Sequence, residues 1–126
     1  MTEPPGKGRK AAVATVDRPE TRPACCPYFH RAVELVGKRW TGAILYVLLH
    51  ADRPLRFSEI AHAVPDLSDR LLSERMKELE RCGIVKRRVT GTSPIKVEYN
   101  LTDRGRELEP ALAEIQEWAN RWMASG

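Results

Sequence analysis

Apolar positions recur at helical spacing through much of the chain, and the breaks between runs fall at glycine and proline. Phe29, Ala32, Val33 and Val36 predict a first helix over 28–36, with Pro27 tolerated in its opening turn and Gly37 as its stop. Trp40 to Leu49 is the most apolar run; its length suits a buried helix, with Trp40, Ile44, Val47 and Leu48 on the core face. Asp52-Arg53-Pro54 closes it, and Leu55-Arg56-Phe57 suggests a short strand. Ser58 stands where an N-cap belongs, ahead of a narrow stripe of Ile60, Ala61 and Val64 that Pro65 ends. Ser68 is the next candidate cap. Behind it, Leu72, Met76 and Leu79 lie at i, i+4 and i+7, with Leu71 at the edge of their stripe.

After Gly83 the period changes from helical to alternating. Val85, Arg87 and Val89 alternate with Lys86 and Arg88, and Val97, Tyr99 and Leu101 alternate with polar neighbours, which predicts a hairpin around Thr90–Pro94. Thr102 and Asp103 open a last helix, which Pro110 should kink or divide. Beyond it Leu112, Ile115, Trp118, Ala119 and Trp122 form a broad apolar stripe. Short helix, turn, longer helix, hairpin is the order of a winged helix-turn-helix. The expected fold is therefore mainly α with a small β-hairpin wing. Residues 25–126 are read as that domain. Residues 1–24, rich in Pro and Gly and carrying Lys7, Arg9 and Lys10, are read as a disordered basic tail.

Charge sharpens the picture. The 126 residues carry a formal net charge of +4, distributed unevenly. Residues 1–24 hold 5 Lys/Arg against 3 Asp/Glu, residues 25–101 hold 13 against 9, and residues 102–126 hold 3 against 5. The excess lies on the tail and the helix-turn-helix segment, as a polyanionic partner requires. By helical geometry Arg70, Ser73, Lys77 and Arg81 fall on the face opposite Leu72, interrupted by Glu74 and Glu78. Arg70, Ser73 and Lys77 are candidate DNA contacts on this helix. Arg87, Arg88, Thr92, Ser93 and Lys96 are the candidates on the wing, where small polar loop residues between cations suit phosphate. A solvated helix with ordinary i,i+3 ion pairs would show the same charges, so a winged-helix protein-interaction module is the competing reading.

Other classes find little support. No apolar run approaches the ~20 residues of a membrane span, and the N-terminus lacks a signal-peptide apolar core. Three cysteines do not make a disulfide framework, so reduced thiols and a cytoplasmic location are expected. Cys25 or Cys26 with His30 has metal-like spacing but lacks the three or four ligands a site needs. No nucleophile with a base partner, phosphate-binding glycine loop or metalloprotease helix is present, so neither enzyme nor cofactor is expected.

Several stretches in order carry a family resemblance. Cys26-Pro27, Gly37-Lys38-Arg39-Trp40, Arg56-Phe57-Ser58-Glu59-Ile60, Leu79-Glu80-Arg81-Cys82-Gly83-Ile84-Val85 and Val97 through Gly105 resemble HxlR-type transcriptional regulators, winged-helix relatives of the MarR group. The resemblance implies a homodimer that binds double-stranded DNA at an inverted-repeat operator, with half-sites roughly 34–36 Å apart. It places Leu112, Ile115, Trp118 and Trp122 of the outer helix in the dimer interface, Lys38 near a backbone phosphate, and Ser68 beside Arg70, Ser73 and Lys77 among the DNA-contacting positions. The family holds repressors and activators, so the direction of regulation is left open, with repression as the working expectation. Some members sense oxidants or electrophiles through a cysteine before proline. Cys26 matches that position, Cys25 is a candidate resolving thiol, and Cys82 is read as structural. The resemblance thus leaves room for an oxidant or small-molecule effector of unspecified identity, beside the competing reading of Cys26 as a small half-buried residue kept reduced.

Overall fold

A computed structural model describes residues 26–124, so the tail and Cys25 lie outside the described residues. The elements run α1 (Pro27–Val36), α2 (Thr41–Ala51), α3 (Phe57–Ala63), α4 (Asp69–Arg81), β1 (Val85–Thr90), β2 (Lys96–Leu101), α5 (Asp103–Arg106) and α6 (Glu109–Trp122). This is the winged helix-turn-helix that the periodicity predicted. The chain divides between Gly37 and Lys38 into two compact units. In the first, α1 opens with Pro27 in its first turn and closes at Gly37, whose N–H donates to the Val33 carbonyl at 2.8 Å. None of its residues is buried.

In the second unit, one core joins α2, α3, α4 and the base of the wing. Ile44, Leu45, Leu48, Leu55, Ile60, Val64, Leu67, Leu72, Met76, Leu79, Ile84, Val85 and Leu101 are all buried. The buried arc of α2 departs from the expected one. Thr41, Ile44, Leu45 and Leu48 are buried, whereas Val47 is half-buried and Trp40 stands before the helix as its N-cap. Trp40 holds a left-handed backbone, φ 75°, which makes a corner ahead of α2 and takes its side chain off the helix's own arc.

The short strand at Leu55–Phe57 contracts to a single bridge. Leu55 exchanges both backbone hydrogen bonds with Tyr99, at 2.9 and 2.7 Å, while Phe57 already begins α3. The cap of α3 is consequently Arg56 rather than Ser58. The Glu59 carboxylate accepts from the Arg56 N–H at 2.9 Å, satisfying a donor that the helix leaves unpaired. Ser68 does cap α4, its hydroxyl accepting from the Leu71 N–H at 3.1 Å.

β1 and β2 pair antiparallel from Val85 opposite Leu101 to Thr90 opposite Lys96. The wing is fastened at its base by the segment after it. The Thr102 hydroxyl donates to the Gly83 carbonyl and accepts from the Gly105 N–H, and Arg104 Nη1 donates to the Cys82 carbonyl at 2.9 Å. Gly83, at φ 77°, makes the turn from α4 into β1 that a side chain would strain. The final helix divides as Pro110 suggested, but the break precedes the proline: α5 ends at Arg106 and Pro110 occupies the first turn of α6.

Candidate nucleic-acid interface

α4 is amphipathic in the literal sense. Leu72, Met76 and Leu79 are buried, and the opposite face carries Arg70, Lys77 and Arg81, all exposed. The Arg70 side chain is 91% exposed and 3.7 Å from Glu74, a pair one turn apart that leaves the guanidinium able to extend. Ser73 is half-buried at the edge of this face. Ser68 spends an acceptor on capping but keeps its hydroxyl proton for a further partner.

The hairpin register keeps Arg87 and Arg88 on opposite faces, as their alternation in the sequence predicts. Arg87 lies opposite Tyr99, on the face that Val85 and Leu101 bury. It lines a polar cleft of about 340 Å³ with Ser73, Met76, Lys77, Glu80 and Tyr99, between α4 and the wing. Arg88 lies opposite Glu98 on the other face, with Lys86 and Lys96. Lys96 is 3.5 Å from Glu98, so one wing cation is already accompanied by a carboxylate. Thr92 and Ser93 are exposed at the loop.

One contributor escaped the sequence reading. Arg56 lines a second cleft of about 340 Å³ with Thr90, Gly91, Pro94, Ile95, Lys96 and Val97. The Leu55–Tyr99 bridge carries it there, where the sequence suggests a short third strand beside the hairpin. Lys38 is paired more closely than Arg70 or Lys96: its Nζ is 2.6 Å from Glu78 Oε2 on α4. The Glu59 carboxyl lies below its ordinary pKa. The backbone N–H of Arg56, then the Arg53 guanidinium, hold it low.

α6 buries none of its residues. Ile115, Trp118 (50% exposed) and Trp122 (66% exposed) stay open to solvent. Leu112 is half-buried, and with Ile115 it lines an apolar cleft of about 450 Å³ against Gly42, Ala43, Tyr46 and Leu49 of α2. Cys26 directly precedes α1, is exposed, and accepts the His30 N–H at its carbonyl at 3.0 Å. Among the described residues no group of three His, Cys, Asp or Glu side chains is placed to hold a metal. No described helix is long and apolar enough to cross a membrane.

Comparisons with known proteins agree with this geometry. The model of the HxlR-like helix-turn-helix family matches residues 35–126. The uncharacterized HTH-type transcriptional regulator YvaP of Bacillus subtilis is 50% identical over 98 residues, spanning 78% of this chain and 89% of its own. The HTH-type transcriptional regulator YodB of the same organism is 44% identical over 101 residues, 80% of this chain and 88% of YodB. The solved reduced form of YodB superposes with a TM-score of 0.72 at 43% identity, covering 81% of this chain and 98% of that one. YodB has also been solved diamide-treated and quinone-bound, with TM-scores of 0.67 and 0.68. The redox regulator HypR in its oxidized form gives 0.68 at 36% identity, over 76% of this chain and 96% of that one. A winged helix whose polar face is basic, matched along nearly its whole length by transcriptional regulators rather than enzymes, belongs to the HxlR-like helix-turn-helix family.

Proposed function

We propose that the chain acts in the cytoplasm as a homodimeric, sequence-specific DNA-binding regulator of transcription, reading an inverted-repeat operator. The observation that carries the reading is the face of α4 that joins Arg70, Ser73 and Lys77 opposite a buried Leu72–Met76–Leu79 stripe. In this arrangement α4 enters the major groove by its N-terminal half, so Arg70 and Ser73 approach base edges. Arg87 and Lys77 supply charge between helix and wing, while Arg88, Lys96, Thr92 and Ser93 meet the flanking backbone. The second subunit is brought in through Ile115, Trp118 and Trp122, apolar surface that a partner would remove from water.

Selection of bound fragments from genomic DNA, followed by titration of the selected duplex, tests the reading. Arg70→Ala should weaken operator binding by about 1–3 kcal/mol and relax preference at one base position per half-site. Selection that enriches no common sequence would favour the protein-interaction module instead.

Control by electrophiles is the second part of the proposal, supported by the exposed Cys26 beside Pro27 and by the diamide-treated and quinone-bound forms of YodB. The Cys26 thiolate would add to a quinone ring carbon: one S–C bond forms, and the ring gains the electron pair and a proton to become a hydroquinone. With diamide, two thiols lose two electrons and two protons to the azo bond and become a disulfide, Cys25 being the candidate second thiol. Quinone or diamide should release the operator from the wild type but not from Cys26→Ser. Release that persists in the variant would remove Cys26 from the mechanism.

A further inference from the structure

α4 is gripped on both flanks, and the two grips differ in kind. At 100° per residue from Leu72, Ser73 and Glu80 lie toward one side, where Arg87 and Tyr99 of the wing complete the polar cleft. Arg75 and Glu78 lie on the other side, about 60° apart, and both reach the corner that precedes α2. Arg75 Nε donates to the Arg39 carbonyl at 3.0 Å, and Glu78 Oε2 meets Lys38 Nζ at 2.6 Å. The Glu78 side chain is only 23% exposed, and its other oxygen is buried with no hydrogen-bond partner among the described residues, so Lys38 is the carboxylate's partner. The corner itself turns on Trp40 in its left-handed conformation, with the Arg39 guanidinium 5.4 Å from the centre of its ring.

Leu72, Met76 and Leu79 hold α4 by close packing, and the two polar contacts on one flank add a directional preference, because a hydrogen bond and an ion pair each have a best geometry about the helix axis. Rotation decides which of Arg70, Ser73 and Lys77 points at base edges. We propose that Lys38 and Glu78 form a positioning pair that sets the azimuth of the recognition helix, and hence its base preference, and that Lys38 is not a phosphate ligand. This rests on the DNA-binding reading above, and it changes what Lys38 is for: its ammonium, on a side chain 46% exposed, is directed at the Glu78 carboxylate.

The two roles separate in a salt series. Full-length wild type, Lys38→Met, Glu78→Met, the double variant and the exchanged pair Lys38→Glu with Glu78→Lys would be titrated against the selected operator and a scrambled duplex. A positioning pair predicts that each single variant lowers the operator-to-scrambled ratio about fivefold while the slope of log K against log salt stays that of wild type. The double variant should be no worse than Lys38→Met, which leaves a half-buried carboxylate alone, and the exchanged pair should recover most of the ratio. Thermal unfolding of each variant verifies that the fold is retained. Lys38→Met weakening both duplexes equally, with the slope reduced by about 0.9 and Glu78→Met silent, would make Lys38 a phosphate ligand and overturn the proposal. An unchanged ratio in both single variants would overturn it as well. A wild type that bound both duplexes alike would remove the DNA-reading function itself, and the pair's role with it.

Discussion

Single residues fix the ends of the elements, and two of them make separable predictions. Glu59 accepts from the N–H that begins α3, which favours its charged form and lowers its pKa. A carboxyl group whose pKa is lower folded than unfolded contributes stability above its ordinary value, and that stability disappears as pH falls through the carboxylate range. Urea midpoints between neutral and acid pH should therefore fall less steeply in Glu59→Gln than in the wild type; parallel curves would deny Glu59 this role. Gly105 is the second case. A Cβ there would stand 2.3 Å from the Ile84 carbonyl oxygen and 3.0 Å from Leu101 Cδ2. Gly105→Ala should cost about 1–3 kcal/mol in chemical denaturation, since the clash is with backbone at the wing base and not with a movable side chain. This explains a glycine that the sequence offered only as part of a motif.

At the scale of elements, periodicity located α4 and the wing and assigned the wing's two arginines to different faces, and the register agrees. Arg87 and Arg88 are neighbours in sequence and on opposite faces of the sheet. Arg88→Ala should weaken binding to every duplex and reduce the salt slope by about one, as expected for an outward phosphate contact. Arg87→Ala should act more on the operator than on a scrambled duplex, because its side chain lies in the cleft with Ser73 and Lys77. Equal effects of the two substitutions on both duplexes would mean that the sheet face does not assign their roles. The cap of α3 shows the converse limit of local signals. Ser58 has the right chemistry, but the Leu55–Tyr99 bridge fixes the chain so that the helix begins at Phe57. Long-range pairing overrode a local preference worth about 1 kcal/mol.

For the whole molecule, the exposed aromatic stripe of α6 is the largest consequence. Trp118 and Trp122 follow at i and i+4, with Ile115 one turn before, so their apolar surface is continuous and large for a chain of 126 residues. In the proposed dimer this stripe sets the distance between two copies of α4. Trp118→Glu should yield a monomer by sedimentation and lose operator affinity by at least about tenfold, while retaining the unfolding profile of a folded domain. A variant that stays dimeric would move the interface elsewhere.

What the sequence determined alone was the order of elements, the core stripe Leu72–Met76–Leu79, the Ser68 and Thr102 caps and the basic face of α4. These follow from spacing and from hydrogen bonds within a turn or two. The tertiary structure decided the rest: that α2 buries Leu45 in place of Val47, that Arg56 rather than Ser58 precedes α3 as its cap, that Arg87 shares a cleft with Ser73 and Lys77, and that Lys38 pairs with a residue forty positions away. Each depends on where a second element comes to lie, which no local period encodes. The recognition helix was therefore legible as a helix with a basic face, but its hold on the corner before α2 was visible only once the chain had folded.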